Sequence, residues 1–253
     1  MTKIILSGAL GRMGHAITRL CEDNENAKIV CGFDVCEKDE YDYPVFSDYS
    51  KCNIDADVII DFSNPANFEN VINYAKEKKI GCVMCTTGLS DEQKNMLIDA
   101  SKEIPVFFSA NMSLGINLLI DLAKRAATIL EENFDIEIIE KHHNQKLDAP
   151  SGTALAIADG INDALNEKCE YVYDRHSVRK KRDKKEIGLH AVRGGTIVGD
   201  HDVLFAGPDE VVTISHSAAS RDVFGSGAIK AAIYLSNKPA GYYSMSDLVS
   251  EIC

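Results

Sequence analysis

The first fourteen residues constrain the fold more than any other stretch. An apolar strand, KIILS at 3–7, runs straight into Gly8-Ala-Leu-Gly11-Arg-Met-Gly14. From there Met13, Ala16, Ile17, Leu20 and Cys21 recur at i, i+3, i+4, i+7 and i+8, the stripe of an amphipathic helix. A second strand, KIVCGF, ends at Asp34, twenty residues past Gly14. Strand, glycine turn, helix, strand and acid in that order form the layout of a dinucleotide site. Gly8, Gly11 and Gly14 let the backbone close on a pyrophosphate, the helix N-terminus faces its negative charge, and Asp34 accepts from ribose hydroxyls. The spacing is G-x-x-G-x-x-G rather than G-x-G-x-x-G, so an ordinary tight turn is the competing reading. The position of the acid favours the dinucleotide. Val35 follows that acid where an NADP-preferring site would often carry Arg, and a carboxylate beside a 2′-phosphate is repulsive. NADH is therefore expected to serve at least as well as NADPH.

The alternation continues. DVIIDF at 57–62 reads as a buried parallel strand. Pro65 opens a helix whose face is Phe68, Val71, Ile72 and Ala75. After a strand at 80–85, Ser90 and Gln93 form a capping box for a helix carrying Met96, Leu97 and Ala100, and a strand follows at 104–108. At least five strand–helix units predict the α/β class, with a Rossmann-type doubly wound parallel sheet. Ligands on such sheets bind outside the C-terminal ends of the strands. That rim singles out Asp61-Phe62-Ser63, Cys85-Thr86-Thr87-Gly88 and Ser109-Ala110-Asn111-Met112 for cofactor contact.

Beyond Asn111 the pattern changes. A helix of some 17 residues, with Ile116, Leu119, Ile120, Ala123, Ala127 and Leu130 on its apolar face, leads into FDIEIIEKHH. His142, His143, Lys146 and Asp148 then precede a Pro-Ser-Gly-Thr turn at 150–153, and Ser151 is an eligible N-cap for a helix from Gly152 to Leu165. A strand ending at the histidines and a helix starting at Gly152 put free N–H groups near a cation, which suits a carboxylate or phosphate. Here His142 and Lys146 are the residues able to exchange protons or hold positive charge beside such an anion. Glu137 and Glu140 read as structural. No third ligand stands at metal spacing around the histidine pair, so no metal is expected. The basic run RHSVRKKRDKKE at 175–186 reads as a solvated mobile loop, with an anion-attracting lid as the alternative. Strand-like runs at 186–193, 196–205 and 210–217, broken by Gly194-Gly195 and Gly207-Pro208, predict antiparallel or mixed β structure. The expected organisation is a dinucleotide-binding domain over 1–114, completed by helices in 222–253. An α+β domain with a mixed sheet is expected over 115–221. Its helices suffice to cover one sheet face only.

A net charge of −12 argues against a nucleic-acid or anionic-membrane partner. No apolar run reaches the ~18 residues of a membrane span, and the N-terminal apolar run is too short for a secretory signal. The expected compartment is the cytoplasm, with the eight cysteines as free thiols. Cys82-x-x-Cys85 lies inside an apolar strand pattern and reads as buried strand residues rather than a redox or zinc pair.

Taken together, these stretches resemble the 4-hydroxy-tetrahydrodipicolinate reductase (dihydrodipicolinate reductase) family of diaminopimelate and lysine biosynthesis. The pattern E-I-x-E-x-H-x-x-x-K-x-D-x-P-S-G-T-A is met without a departure from Glu137 to Ala154. Gly8–Gly14, Thr86-Thr87-Gly88, Ala110-Asn111 and Arg193–His201 add to it; Asn64 departs, standing where relatives often carry Arg beside the adenine. The resemblance implies hydride transfer from NADH or NADPH to C4 of a cyclic unsaturated imino dicarboxylate, with loss of water, and a homotetramer. It also implies that the domain over 115–221 binds substrate and supports oligomerisation. By the same resemblance His142 is the general acid and Lys146 stabilises developing charge and holds a substrate carboxylate. His143 and the Ser151-Gly152-Thr153 turn bind carboxylates. Arg12 and Met13 sit against the pyrophosphate. Ser113-Leu114 and Arg221 lie at the domain crossings as candidate hinges, and Arg221 also counts among the substrate-binding residues. Two other functions fit parts of the pattern. One is an aspartate or homoserine dehydrogenase-like enzyme; the other is a nicotinamide-sensing regulator that binds without turnover.

Overall fold

The computed structural model describes residues 1–252. In chain order the elements begin with β1 (Thr2–Ser7), α1 (Arg12–Glu22), β2 (Ala27–Phe33), β3 (Val45–Phe46), β4 (Val58–Asp61) and α2 (Phe68–Lys78). Then come β5 (Gly81–Met84), α3 (Asp91–Ala100), β6 (Pro105–Phe108), α4 (Leu114–Leu130), β7 (Asp135–His142), α5 (Gly152–Ala164) and β8 (Glu170–Val172). The chain finishes with β9 (Glu186–Arg193), β10 (Asp200–Ala206), β11 (Val211–Ser217), α6 (Asp222–Leu235), β12 (Gly241–Tyr243) and α7 (Met245–Ile252). Two compact units result: Met1–Leu114 with the chain from Asp222 on, and Gly115–Arg221.

The first unit carries a seven-stranded sheet in the order β12-β6-β5-β4-β1-β2-β3, and its pairings are parallel. Strand order reverses between β1 and β4, the switch point of a doubly wound sheet. The all-apolar strands predicted from the sequence are buried on both faces: Ile4, Leu6, Val58 and Ile60 face one core, Ile5, Ile59, Cys82 and Met84 the other. Ala228, Ala231, Ala232 and Leu235 of α6 belong to the first of these cores. The capping box at Ser90 and Gln93 is formed. Pro65 starts a short 3-10 turn, Pro65–Asn67, and α2 proper begins at Phe68. Cys82 and Cys85 are buried, as the strand reading expected, and burial pushes both thiols up out of reach of ordinary redox or ligand chemistry. β3 and β12 were not legible, because two- and three-residue strands carry no period.

In the second unit a five-stranded sheet runs in the order β11-β10-β7-β9-β8. It is mixed: β10 is antiparallel to β7 and β11, whereas β9 is parallel to β7 and β8. β10 begins at Asp200, so residues 196–199 lie outside the strand whose start was read from their apolar character. Along β7 burial alternates, and the inward row is Ile136, Ile138, Glu140 and His142. Ile136 and Ile138, with Val203, Phe205, Ile187 and Leu189, pack against Leu119, Ala123 and Ala127 of α4 and Ala154, Ile157 and Ile161 of α5.

The basic run is an exposed loop, as expected, but Arg175 and Arg182 are tied to the sheet. Arg182 donates to the Glu137 and Asp135 carboxylates at 2.9 and 3.1 Å and to the Ile136 and Glu186 carbonyls at 3.0 and 2.6 Å. Arg175 bridges Glu137 and Glu186 at 2.8 and 2.7 Å. Strand alternation places Asp135 and Glu137 on the face that the helices leave bare, and the parallel register sets Glu137 beside Gly188, one pair on from Ile136 and Ile187. Such a concentration of carboxylates needs cations close by. These arginines therefore strap an exposed loop across the sheet and are not a free lure for anions.

Candidate active site

Two groups of residues singled out from the sequence come together, one in each unit. In the first, β1 turns at Gly8, whose φ is +80° and whose added Cβ would stand 2.7 Å from the Phe62 carbonyl oxygen. A Cβ on Gly14 would meet the Ala9 carbonyl oxygen at 2.1 Å, so α1 approaches β1 as only glycine allows. The N-cap of α1 is Gly11, with no side-chain cap bond and no acid in the first turn, which leaves its leading N–H groups for an anion. Asp34 closes β2, and its carboxylate accepts from the Leu10 and Val35 N–H groups, each at 2.8 Å. A cavity of about 810 Å³ opens at this switch point, with Gly8, Gly11, Asp34, Phe62, Ser63 and Asn64 among its walls. Asn64 caps the turn at Pro65, accepting from Ala66 N–H at 2.9 Å.

Other rim residues contribute differently from what side-chain chemistry suggested. Thr86 Oγ1 donates inward to the buried Asp61 carboxylate at 2.6 Å, and Ser63 Oγ donates to its other oxygen at 2.6 Å. Asp61 thus ties the ends of β4 and β5 together. Cys85 and Met112 lie in the core, so they have backbone rather than side chains to offer a cofactor. Ser109 Oγ donates to the Asn111 carbonyl at 3.0 Å, fixing the turn that carries Ala110. Arg12, Thr87 and Ala110 are exposed, and Met13 is half-buried. The carbon-free cradle, uncapped helix start and ribose-height acid fit a nicotinamide dinucleotide.

In the second unit the centre is a residue that the sequence reading set aside. Glu140 is 1% exposed, yet it takes four hydrogen bonds. His142 Nδ1 lies 2.6 Å from its Oε2, Ser151 N–H donates to Oε1 at 3.0 Å, and Arg193 grips both oxygens at 2.7 Å through NH1 and NH2. Burial would raise this carboxyl; Arg193, then His142 and the Ser151 amide, outweigh it and hold Glu140 below the usual carboxylate range. Since Glu140 is an acceptor, Nδ1 of His142 bears the proton and Nε2 is the nitrogen left for chemistry. Gly199 lies over that nitrogen, where a Cβ would come within 3.0 Å.

Beside His142 is His201 of β10, its ring centroid 5.2 Å away in an edge-on arrangement. His201 is buried and pushed down to about 4, by burial first and then by its neighbour His142. Ser151 is also buried: its Oγ accepts from Ala154 N–H at 3.1 Å and sits 3.3 Å from His201 Nε2. As a cap it shapes the site from within. Gly152 is exposed and open on its Cα side, so the first turn of α5 faces outward. Lys146 Nζ lies 2.9 Å from Asp148 Oδ1. That hydrogen bond, with a smaller part from the Gly152 N–H, holds the Asp148 carboxyl below its ordinary range. An internal carboxylate thus occupies the ground between a lysine and a helix start. His143 is half-buried, Thr153 lies one residue further into α5, and Arg221 is exposed at the end of this unit without an ion pair among the described residues.

Glu140, Arg193 and His201 are the functional residues missed from the sequence. A signal for Glu140 existed: period two puts it inward beside Ile138 and His142, where an unpaired acid could not stay. Arg193 and His201 begin and end a stretch noticed only for its family likeness. Among the described residues no group of three or more His, Cys, Asp or Glu is set to hold a metal ion, and no helix is long and apolar enough to cross a membrane.

Comparison with known proteins agrees over the whole chain. The family model described as "Dihydrodipicolinate reductase, N-terminus" matches residues 2–112, and "Dihydrodipicolinate reductase, C-terminus" matches 115–249. A 4-hydroxy-tetrahydrodipicolinate reductase of Caldanaerobacter subterraneus subsp. tengcongensis is 54% identical over 253 residues, 99% of each chain. Its counterpart from Clostridium tetani is 49% identical, covering 99% of this chain and 98% of the other. The dipicolinate-bound dihydrodipicolinate reductase of Paenisporosarcina sp. TG-14 superposes with a TM-score of 0.82 at 26% identity, covering 98% of this chain and 99% of that one.

Proposed function

The chain belongs to the dihydrodipicolinate reductase family, and from that premise we propose that it reduces 4-hydroxy-tetrahydrodipicolinate to tetrahydrodipicolinate on the route to diaminopimelate and lysine. The observation that carries the reading is the conjunction of His142 Nε2, Lys146 and the exposed first turn of α5 on one edge of the second unit. A reduced nicotinamide dinucleotide supplies a hydride for C4 of the substrate. Once the 4-hydroxyl has left as water, C4 is conjugated with the ring imine; addition there sends electrons to the ring nitrogen or the enamine carbon, and a proton must follow. His142, having taken a proton from solvent onto Nε2 to become imidazolium, delivers it from there while Nδ1–H stays bonded to Glu140. Lys146 holds one substrate carboxylate and stabilises the developing charge. The Gly152 and Thr153 N–H groups, with His143 and Arg221, receive the other. In the first unit Arg12, Met13 and the α1 N-terminus hold the pyrophosphate, and Asp34 binds the adenine ribose.

Asp34 and the exposed Val35 beside it favour NADH, which serves at least as well as NADPH. The bare sheet face of the second unit fits a homotetramer, working in the cytoplasm; a monomer by sedimentation at assay concentration would remove the tetramer from the proposal. The decisive assay follows oxidation of NADH and NADPH with substrate freshly generated from aspartate semialdehyde and pyruvate. Lys146→Ala and His142→Ala should lose about 100-fold or more in kcat while NADH still binds. Binding without oxidation by the wild type would instead favour the sensor reading, and strong preference for NADPH would refute the cofactor assignment.

A further inference from the structure

We infer that Glu140 and Arg193 are a positioning unit for this site: together they fix His142 as the Nδ1–H tautomer and lock the start of α5 in register with it. The inference rests on the proposed role of His142. It adds two residues to which no role has been given.

The geometry leaves little freedom. Glu140 and His142 are two apart on β7 and so face the same way. A carboxylate 2.6 Å from Nδ1 admits a proton on that nitrogen and turns the ring plane toward itself. The same carboxylate accepts the Ser151 N–H at 3.0 Å, so the N-cap residue of α5 and the imidazole share one anchor. A shift of Glu140 would move both the proton-bearing ring and the anion-facing helix turn.

Arg193 supplies what keeps that anchor in place. Its fork meets both Glu140 oxygens at 2.7 Å, and NH2 also donates to the Asp148 carbonyl at 2.7 Å. One guanidinium thereby joins β9, β7 and the 143–150 loop that carries Lys146. The planar, bidentate contact is specific to arginine; lysine offers a point charge without the fork. With the guanidinium at its back, the carboxylate is charged but balanced, which holds the imidazole in one orientation without drawing its proton away. His201 packs edge-on against the His142 ring, their centroids 5.2 Å apart.

The test begins with the wild type, labelled with 15N-histidine, and His142 assigned by difference from His142→Gln. The expected spectrum of neutral His142 is that of the Nδ1–H tautomer; an Nε2–H tautomer would overturn the inference outright, with no variant needed. Glu140→Gln keeps shape but can present its amide to Nδ1, and is expected to give a mixed or reversed tautomer. Its kcat should fall about 100-fold with KM for NADH unchanged. Arg193→Lys is the milder companion should Glu140→Gln not fold, with a smaller fall in kcat and broadened His142 signals. Unchanged tautomer and kcat in both folded variants would overturn the positioning role while leaving the reductase reading intact. If the tautomer shifts in Glu140→Gln but His142→Ala turns over like the wild type, the positioning stands and the proposed role of His142 fails.

Discussion

Asp148 lies between Lys146 and the start of α5, the ground proposed above for a substrate carboxylate. Its side chain bonds Lys146 at 2.9 Å and draws on the Gly152 N–H, so an incoming carboxylate must displace it. Exposed pairs of this kind contribute roughly 0.2–1 kcal/mol, a competition of up to about fivefold in affinity. Asp148→Asn is therefore expected to lower KM for the proposed substrate about two- to fivefold, measured against the wild type. The loop is still held through the Asp148 backbone carbonyl by Arg193, so the fold should be untouched. A raised or unchanged KM would mean that Asp148 orients Lys146 rather than competing for it. At the same scale Gly8 and Gly14 explain why the turn departs from the usual glycine spacing without losing its purpose. The positions that must lack a Cβ are those facing the Phe62 and Ala9 carbonyls.

Among the elements, the strap formed by residues 175–186 is the one whose nature changes the account most. Arg182 is only 17% exposed and ties the strap to β7 and to the start of β9 through carboxylates and carbonyls alike. Removing it would leave Glu137 and Asp135 facing each other's field with Arg175 and Lys184 as remaining cations. Arg182→Ala should cost about 2–4 kcal/mol in urea unfolding monitored by circular dichroism. A loss within about 0.5 kcal/mol, the usual range of surface substitutions, would restore the mobile-loop reading. Lys185 pairs with Glu167 and Lys180 with Glu186, so little of this basic run is left over to steer an anionic substrate.

For the whole molecule, the buried histidine behind the site couples stability to pH. His201 has its ordinary value of 6.5 in the unfolded chain and about 4 when folded. Between those limits the unfolded state binds the extra proton, so this residue lowers stability as pH falls from about 6.5 to about 4, with no further loss below. The full shift corresponds to roughly 3 kcal/mol. Stability of the wild type and of His201→Asn, measured by denaturant unfolding from pH 7 to 4.5, should converge as the pH drops. Parallel curves would show that His201 accepts a proton within the fold. As for what was written in the chain alone, the doubly wound sheet was legible, because strands buried on both faces are uninterrupted apolar runs and α1 shows its stripe at a 3.6-residue period. The residues His142, Lys146 and Gly152 were legible too, since they lie within one continuous motif, and so was the glycine turn ending at Asp34. Glu140 meeting Arg193, Thr86 turning inward to Asp61, and the arginine strap were decided only by the tertiary structure. Each depends on partners brought together across strands, 53 residues apart for Glu140 and Arg193 and 25 for Thr86 and Asp61. Local periodicity reports which way a side chain points, whereas the charge or donor that it finds there depends on strand register and helix packing.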